Sequence, residues 1–168
     1  MIIRAERPED IQKIRHINTE AFDTEVEANL IEALRNSKVP LISLVAEDGE
    51  KLIGHIVFSP VTLEGDRSDA SIAGLAPMAV LPEWQKKGVG SMLMEEGTRR
   101  CKEAGYAAIV VLGHPDYYPR FGFVPSVNFG IKSEYDVPDD VFMVKELKKG
   151  ALANCRGAVK YHKAFSQV

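Results

Sequence analysis

The chain has 168 residues, 45% of them hydrophobic, and its 21 basic and 24 acidic side chains leave a formal net charge of −3. That length fits one domain spanning residues 1–168, with enough apolar material for a sizeable core. The charge balance excludes a broad basic field for holding nucleic acid, while a small anion met by a local basic turn stays open.

The longest apolar stretches, 72–81 and 106–112, fall short of the roughly 18 residues of a membrane span. The opening MIIRAERPED is too charged for the apolar region of a signal peptide. A cytoplasmic protein with no membrane partner and no nucleic-acid partner is the expectation. Cys101 and Cys155 stand alone without CxxC spacing, so neither a disulfide framework nor a metal site is expected, and Cys101 reads as core.

In chain order, Met1 to Ala5 predicts a short strand, and Pro8 suits the first turn of a helix reaching Phe22. Ile11, Ile14, Ile17 and Ala21 make its core-facing stripe. A second helix is predicted from Glu25 to Asn36, with Val26, Leu30 and Leu34 on one face. Leu41 to Glu47 and Leu52 to Leu63 are β-rich runs joined by Asp48 and Gly49, which predicts a hairpin. Within the second run His55 faces opposite to Ile56, and alternation alone does not say which side is solvent. After the polar loop EGDRSD comes a strand from Ser71 to Leu81, and then a helix from Gly88 to Ala104 stopped by Gly105. Ala107 to Leu112 predicts a buried strand parallel to the one before the helix. Two more strand candidates follow, Val141 to Leu147 and Gly157 to Phe165.

The turn QKKGVGS enters the third helix. A glycine-rich turn there presents unpaired backbone N–H groups beside the positive end of the helix dipole, which suits a phosphate or pyrophosphate. Gln85, Lys86, Lys87, Gly88, Val89, Gly90 and Ser91 have that arrangement; the bland reading is a tight turn with two solvated lysines. A dinucleotide fingerprint wants a third glycine where Leu93 stands, and the chain has no GxxxxGK[ST] P-loop. Pro77 sits inside the strand-like IAGLAPMAVL, where it removes a ladder hydrogen bond and predicts a local opening around Ala76 to Met78. Backbone groups of Met78, Ala79 and Val80 could then bond an extended ligand. An amide-bearing arm joined to a pyrophosphate satisfies both features, and coenzyme A has that shape.

At these residues the sequence resembles the GNAT superfamily of acyl-CoA-dependent N-acetyltransferases. The family's Q/R-x-x-G-x-G cofactor motif is matched by Gln85, Gly88 and Gly90, and its Y-x-x-x-G-F signature by Tyr118, Gly122 and Phe123. The order β-α-α-β-β-β-α-β agrees to about residue 125. The resemblance implies a GNAT-like α/β fold, with a mixed and partly splayed central sheet of about six or seven strands flanked by helices. It implies acetyl-CoA as cosubstrate with no metal, bound by Met78, Ala79 and Val80, by the turn from Gln85 to Ser91, and by Tyr118. It also implies direct attack of a small-molecule or peptide amine on the thioester, with a homodimer compatible.

By the same resemblance Tyr118 occupies the position of the general acid. A phenol with a reference pKa near 10 can protonate a thiolate modestly uphill; the alternative is a ring that packs and orients the cofactor. The strand from Ser71 to Leu81 has no Asp or Glu where many relatives carry a base, and Val111 stands where an Asn is common. His114 is the candidate catalytic side chain in its place, or else a hydrogen-bonded turn residue. Met78, Met92 and Met94 read as core packing. The acidic DTEVE run, Tyr135 and the DVPDD loop are candidates for meeting a cationic amine. A non-catalytic acyl-CoA-binding or sensing module is the alternative function.

Overall fold

Pro8, whose fixed φ suits a helical first turn, opens a 3-10 turn over Pro8–Asp10 that runs into α1, Ile11–Phe22. Asp10 is almost fully buried there, and its carboxylate accepts the backbone N–H of Arg7 at 2.7 Å and two guanidinium bonds from Arg4 at 2.7 and 3.1 Å. Those bonds satisfy the entry to α1 and tie it to the first strand, β1, Ile2–Ala5. These coordinates come from a computed structural model, which describes residues 1–66 and 68–166. Arg67, inside the EGDRSD loop, lies outside the described residues.

The remaining elements are α2 (Val26–Asn36), β2 (Ile42–Asp48), β3 (Lys51–Glu64), β4 (Ile72–Val80), α3 (Val89–Glu103), β5 (Ala108–Leu112), β6 (Val124–Pro125), β7 (Ile131–Ser133), β8 (Phe142–Glu146) and β9 (Gly157–Lys160). The chain folds as two compact units: residues 1–59 and 76–99 with the C-terminal residues from Lys163, and residues 60–75 with 100–162. The long strands β3 and β4, and helix α3, pass from one unit into the other.

In the first unit β1 pairs antiparallel with β2, and β2 with β3, the latter ladder slipping between Ala46 and Glu47. From Leu52 to Ser59 every residue of β3 is buried, so both faces of this strand are covered and His55 has no solvent side. Gly97 brings α3 against the sheet: a Cβ there would stand 2.4 Å from the Cε2 of Phe58. Leu30, Leu34 and Ala164 form a smaller cluster with Leu41 and Phe165 packed on it.

In the second unit β4 and β5 are parallel, as a strand–helix–strand crossover requires. Their register runs from Ile72 opposite Ala108 to Gly74 opposite Val110. β5 also pairs antiparallel with β8 along its whole length, and β8 with the short β6. β9 joins β3 antiparallel and β7 parallel. Ile72, Val110, Ile131, Phe142, Val144 and Val159 fill the core between these strands.

Nine strands lie among the described residues, against the six or seven expected. The additional ones, β6 and β7, have two and three residues. That is too short to show alternation, and partners distant in sequence define them. The strand expected to reach Phe165 ends at Lys160. The Tyr161 N–H donates to the Glu134 carboxylate at 2.7 Å instead of extending a ladder, and a 3-10 turn follows over Lys163–Ser166. Among the described residues no helix is long and apolar enough to cross a membrane.

Candidate active site

The QKKGVGS turn has the backbone expected of an anion cradle. Lys86 and Gly88 are both left-handed, with φ of 62° and 85°; successive N–H groups in such turns converge on anions. At the start of α3 the Met92 N–H donates to the Gly88 carbonyl at 3.1 Å. The amides of Val89, Gly90 and Ser91 therefore belong to the opening turn, where a helix has no internal acceptor for them. Gln85 holds the turn to the end of β4, its Nε2 donating to the Val80 carbonyl at 3.1 Å. The Lys87 ammonium lies 5.3 Å over the Trp84 ring, while Lys86 is exposed.

Met78 and Val80 are half-buried on β4 and Ala79 is buried. The Ala76–Pro77 peptide bond is cis. Met94 is buried core, whereas Met92 is exposed rather than packed. Cys101 is a core thiol as expected: burial pushes it up to about 12, which leaves it protonated and inert.

Tyr118 begins a 3-10 turn, Tyr118–Phe121, that closes on the left-handed Gly122. Its ring meets Tyr117 edge-on at 5.1 Å and Phe123 at 5.7 Å. Burial, with a smaller contribution from Tyr117, pushes the phenol up to about 12. The group is thus a protonated donor across the neutral range. His114 is exposed, and its Nδ1 accepts the backbone N–H of Asp116 at 3.2 Å. This is the hydrogen-bonded turn geometry, and with Nδ1 accepting, the neutral ring carries its hydrogen on Nε2.

The second unit also holds a cavity of about 470 Å³ lined by Glu134, Tyr135, Asp136, Asp139, Lys132 and Phe142, among others. Three acidic residues and one lysine line it, beside the Tyr135 ring, which stacks on Tyr161 with centroids 6.1 Å apart. Tyr135 and the DVPDD loop therefore meet at one cavity. In the first unit the DTEVE run is partly neutralised, since Arg15 reaches Glu25 at 3.4 Å. Among the described residues no group of three or more His, Cys, Asp or Glu side chains is placed to hold a metal ion.

Sequence reasoning missed Gly113 and Lys145. A Cβ at Gly113 would stand 2.3 Å from the Tyr118 ring, and the Lys145 ammonium donates to the Phe121 carbonyl at 2.6 Å. Neither lies in a motif, and only the fold brings Gly113 to the Tyr118 ring and Lys145 to the end of its turn.

A glycine turn opening a helix after a strand, followed by a parallel strand and a tyrosine turn, defines a nucleotide-anchored acyltransferase class. Residues 2–125 match the family model described as an acetyltransferase (GNAT) domain. The chain is 35% identical over 168 residues to the uncharacterized N-acetyltransferase YhbS of Escherichia coli K12, covering 99% of each. A crystal structure of Escherichia coli YhbS in complex with CoA superposes with a TM-score of 0.93 at 35% identity, over 98% of this chain and 91% of that one. A GNAT family acetyltransferase from Brucella melitensis, in complex with acetyl-CoA, gives 0.80 at 34% identity over 98% and 97%. The chain belongs to the GNAT acetyltransferase family.

Proposed function

We propose that residues 1–168 act as one catalytic domain, an acyl-CoA-dependent N-acetyltransferase that moves an acetyl group from acetyl-CoA to a primary amine. The observation that carries the reading is the turn from Gln85 to Ser91, with two left-handed residues feeding the first amides of a 15-residue helix. The relatives solved with CoA and acetyl-CoA support the same donor. In this reading the pyrophosphate sits on the amides of Lys86 to Ser91, with the Lys86 and Lys87 charges adding attraction. The backbone of Met78, Ala79 and Val80 bonds the amide-bearing arm. Gln85 keeps the turn registered on β4, and Tyr118 contributes to holding the thioester end.

The acceptor nitrogen attacks the thioester carbon, a C–N bond forms, and the C–S bond breaks. The departing sulfur takes a proton from the Tyr118 hydroxyl, and the proton that the attacking nitrogen sheds returns to the phenolate through water. Complete transfer from a phenol near 12 to a thiolate whose thiol pKa is about 8.5 is roughly 5 kcal/mol uphill. The phenol therefore acts as a hydrogen-bond donor that releases its proton as charge develops on sulfur. The amine arrives neutral, or gives its proton to His114 at Nδ1 once that atom lets go of the Asp116 N–H. The cavity at Tyr135, with its excess of carboxylates, suits a cationic small-molecule or peptide amine, whose charge an aromatic face also attracts. Cytoplasm, with its free acetyl-CoA pool, is the compartment that this donor requires. A homodimer is the assembly to look for by sedimentation, and neither nucleic acid nor membrane enters the reading.

Isothermal titration with acetyl-CoA, CoA and NAD, then thiol release over a panel of amines, tests the reading. Acetyl-CoA binding with amine-dependent thiol release supports the enzyme. Binding without release from any amine favours the acyl-CoA sensor, which the lack of an acidic residue in β4 also allows. Binding of NAD alone overturns both.

A further inference from the structure

The Tyr118 ring and the far end of the turn that it opens each meet a residue outside any motif. We infer that Gly113 and Lys145 are positioning residues that set where the Tyr118 hydroxyl stands; the inference rests on the reading of Tyr118 as the acid.

Gly113 follows the last residue of β5, and its N–H donates to the Val141 carbonyl at 2.9 Å, which continues the β5–β8 ladder. Its φ lies outside the left-handed region, so any L residue could adopt this backbone. The glycine is therefore there for room. A Cβ would stand 2.3 Å from the Cε2 of Tyr118, 2.9 Å from Cδ2 and 3.3 Å from Cζ. Ordinary carbon contacts begin near 3.5 Å, so the ring would have to retreat by about 1 Å. Tyr117 and the buried Phe123 close in on it edge-on. The ring cannot retreat without carrying its hydroxyl along.

The far end of the turn is fixed separately. Lys145, on β8, donates from Nζ to the Phe121 carbonyl at 2.6 Å, and its Cε and Cδ pass 3.7 to 4.0 Å from where a Gly122 Cβ would be. The near end is bonded to the His114 carbonyl by the N–H groups of Tyr117 at 3.1 Å and Tyr118 at 3.4 Å. Gly113 thus limits the ring, and Lys145 anchors the turn that carries it.

The test is a double-mutant cycle over Gly113→Ala and Tyr118→Phe. It is read as CoA release from acetyl-CoA with the best amine of a fixed panel, or with water if no amine is used. Displacing a reacting group by about 1 Å can cost on the order of 100-fold. Gly113→Ala should therefore lower kcat by about 10- to 100-fold, leave KM for acetyl-CoA within about twofold, and slow Tyr118→Phe no further. A wild-type kcat in Gly113→Ala, or the same fold loss in both backgrounds, overturns the inference. Lys145→Met keeps the stem and removes the bond; it should lose about 3- to 10-fold in kcat, with Lys145→Arg restoring most of it. These two variants decide if Gly113→Ala does not fold, and an unchanged kcat in Lys145→Met counts against the anchoring role. Full turnover in Tyr118→Phe would instead sink the acid reading. The positional claim is then decided by fluorine NMR of 3-fluorotyrosine-labelled protein. Gly113→Ala should move the Tyr118 resonance, identified by its loss in Tyr118→Phe; an unmoved resonance overturns the claim.

Discussion

The Nε2 of His55 lies 2.8 Å from the Ser43 hydroxyl, and both residues are buried. The Asn18 amide nitrogen donates to the Ile14 carbonyl at 3.0 Å and approaches His55 Nδ1 at 3.3 Å, so Nδ1 is the acceptor and Nε2 carries the proton. That proton goes to Ser43, whose hydroxyl donates to the Glu6 carboxylate, itself gripped by Arg35 through two bonds of 3.0 Å. Five residues, Glu6 just after β1 and the others on α1, α2, β2 and β3, thereby close one polar chain in the first unit.

Acid should break this chain. Burial, opposed in part by Glu6, holds His55 below its ordinary value, so the folded protein keeps it neutral. The unfolded chain takes up that proton below about pH 6.5, and stability falls by up to about 1.4 kcal/mol per pH unit as pH drops toward the folded value. For Glu6, burial raises the carboxyl, but the approach of His55 and the bonds from Arg35 and Ser43 outweigh it and hold it well below the usual range. Its stabilisation is present above about pH 4.5 and is lost on further acidification. Urea unfolding between pH 8 and 4 should show both losses. His55→Gln should lower stability at pH 8 yet flatten the slope between about pH 6.5 and 5; an unchanged slope would assign it to other groups.

Gly88→Val should weaken acetyl-CoA binding by more than about tenfold. A φ of 85° is open to glycine and strained for a β-branched residue, which would pull the turn out of its left-handed form. No atom lies within 4 Å of the added Cβ, so the fold should lose only about 1–2 kcal/mol. Titration calorimetry beside thermal unfolding separates the two effects, and an unchanged affinity removes the pyrophosphate assignment.

Tyr118→Phe should cut kcat by about 100-fold or more while leaving acetyl-CoA affinity within a few-fold. With the folded phenol pushed up to about 12, its ionisation contributes no falling limb to a kcat profile between pH 7 and 10. The unfolded phenol ionises near 10, so this group's share of stability, present below pH 10, is lost between about 10 and 12. A falling limb near pH 9 that disappears in Tyr118→Phe would contradict this.

Gly97→Ala should destabilise the protein despite the higher helix propensity of alanine. The propensity gain is about 1 kcal/mol, whereas the new Cβ would stand 2.4 and 2.5 Å from the buried Phe58 ring. Overpacking of that kind costs about 1–3 kcal/mol. Chemical denaturation reads the sign, and a stabilised variant would mean that Phe58 has room to turn.

Some of this was legible because it is local. Pro8 and the stripe through Ile14 and Ile17 placed α1, and the glycines around α3 placed its two ends. The parallel pairing of β4 with β5 followed from the helix between them. By contrast, β6 and β7 are too short for periodicity to register, and β9 stops where a carboxylate from elsewhere captures its next N–H. His114 was legible as a turn residue by its place before proline, and Nδ1 is indeed occupied by the Asp116 amide.

The sequence by itself determined the glycine turn and the helix behind it, because backbone freedom at glycine and 3.6-residue periodicity act over a few residues. Only the tertiary structure decided that His55 has no solvent face and pairs with Ser43 and Asn18, that Tyr135 and the acidic loop share a cavity, and that Gly113 must lack a side chain beside Tyr118. Those facts depend on which distant groups arrive at hydrogen-bond or contact distance, and such short-range forces have no counterpart in residue order until the chain has packed.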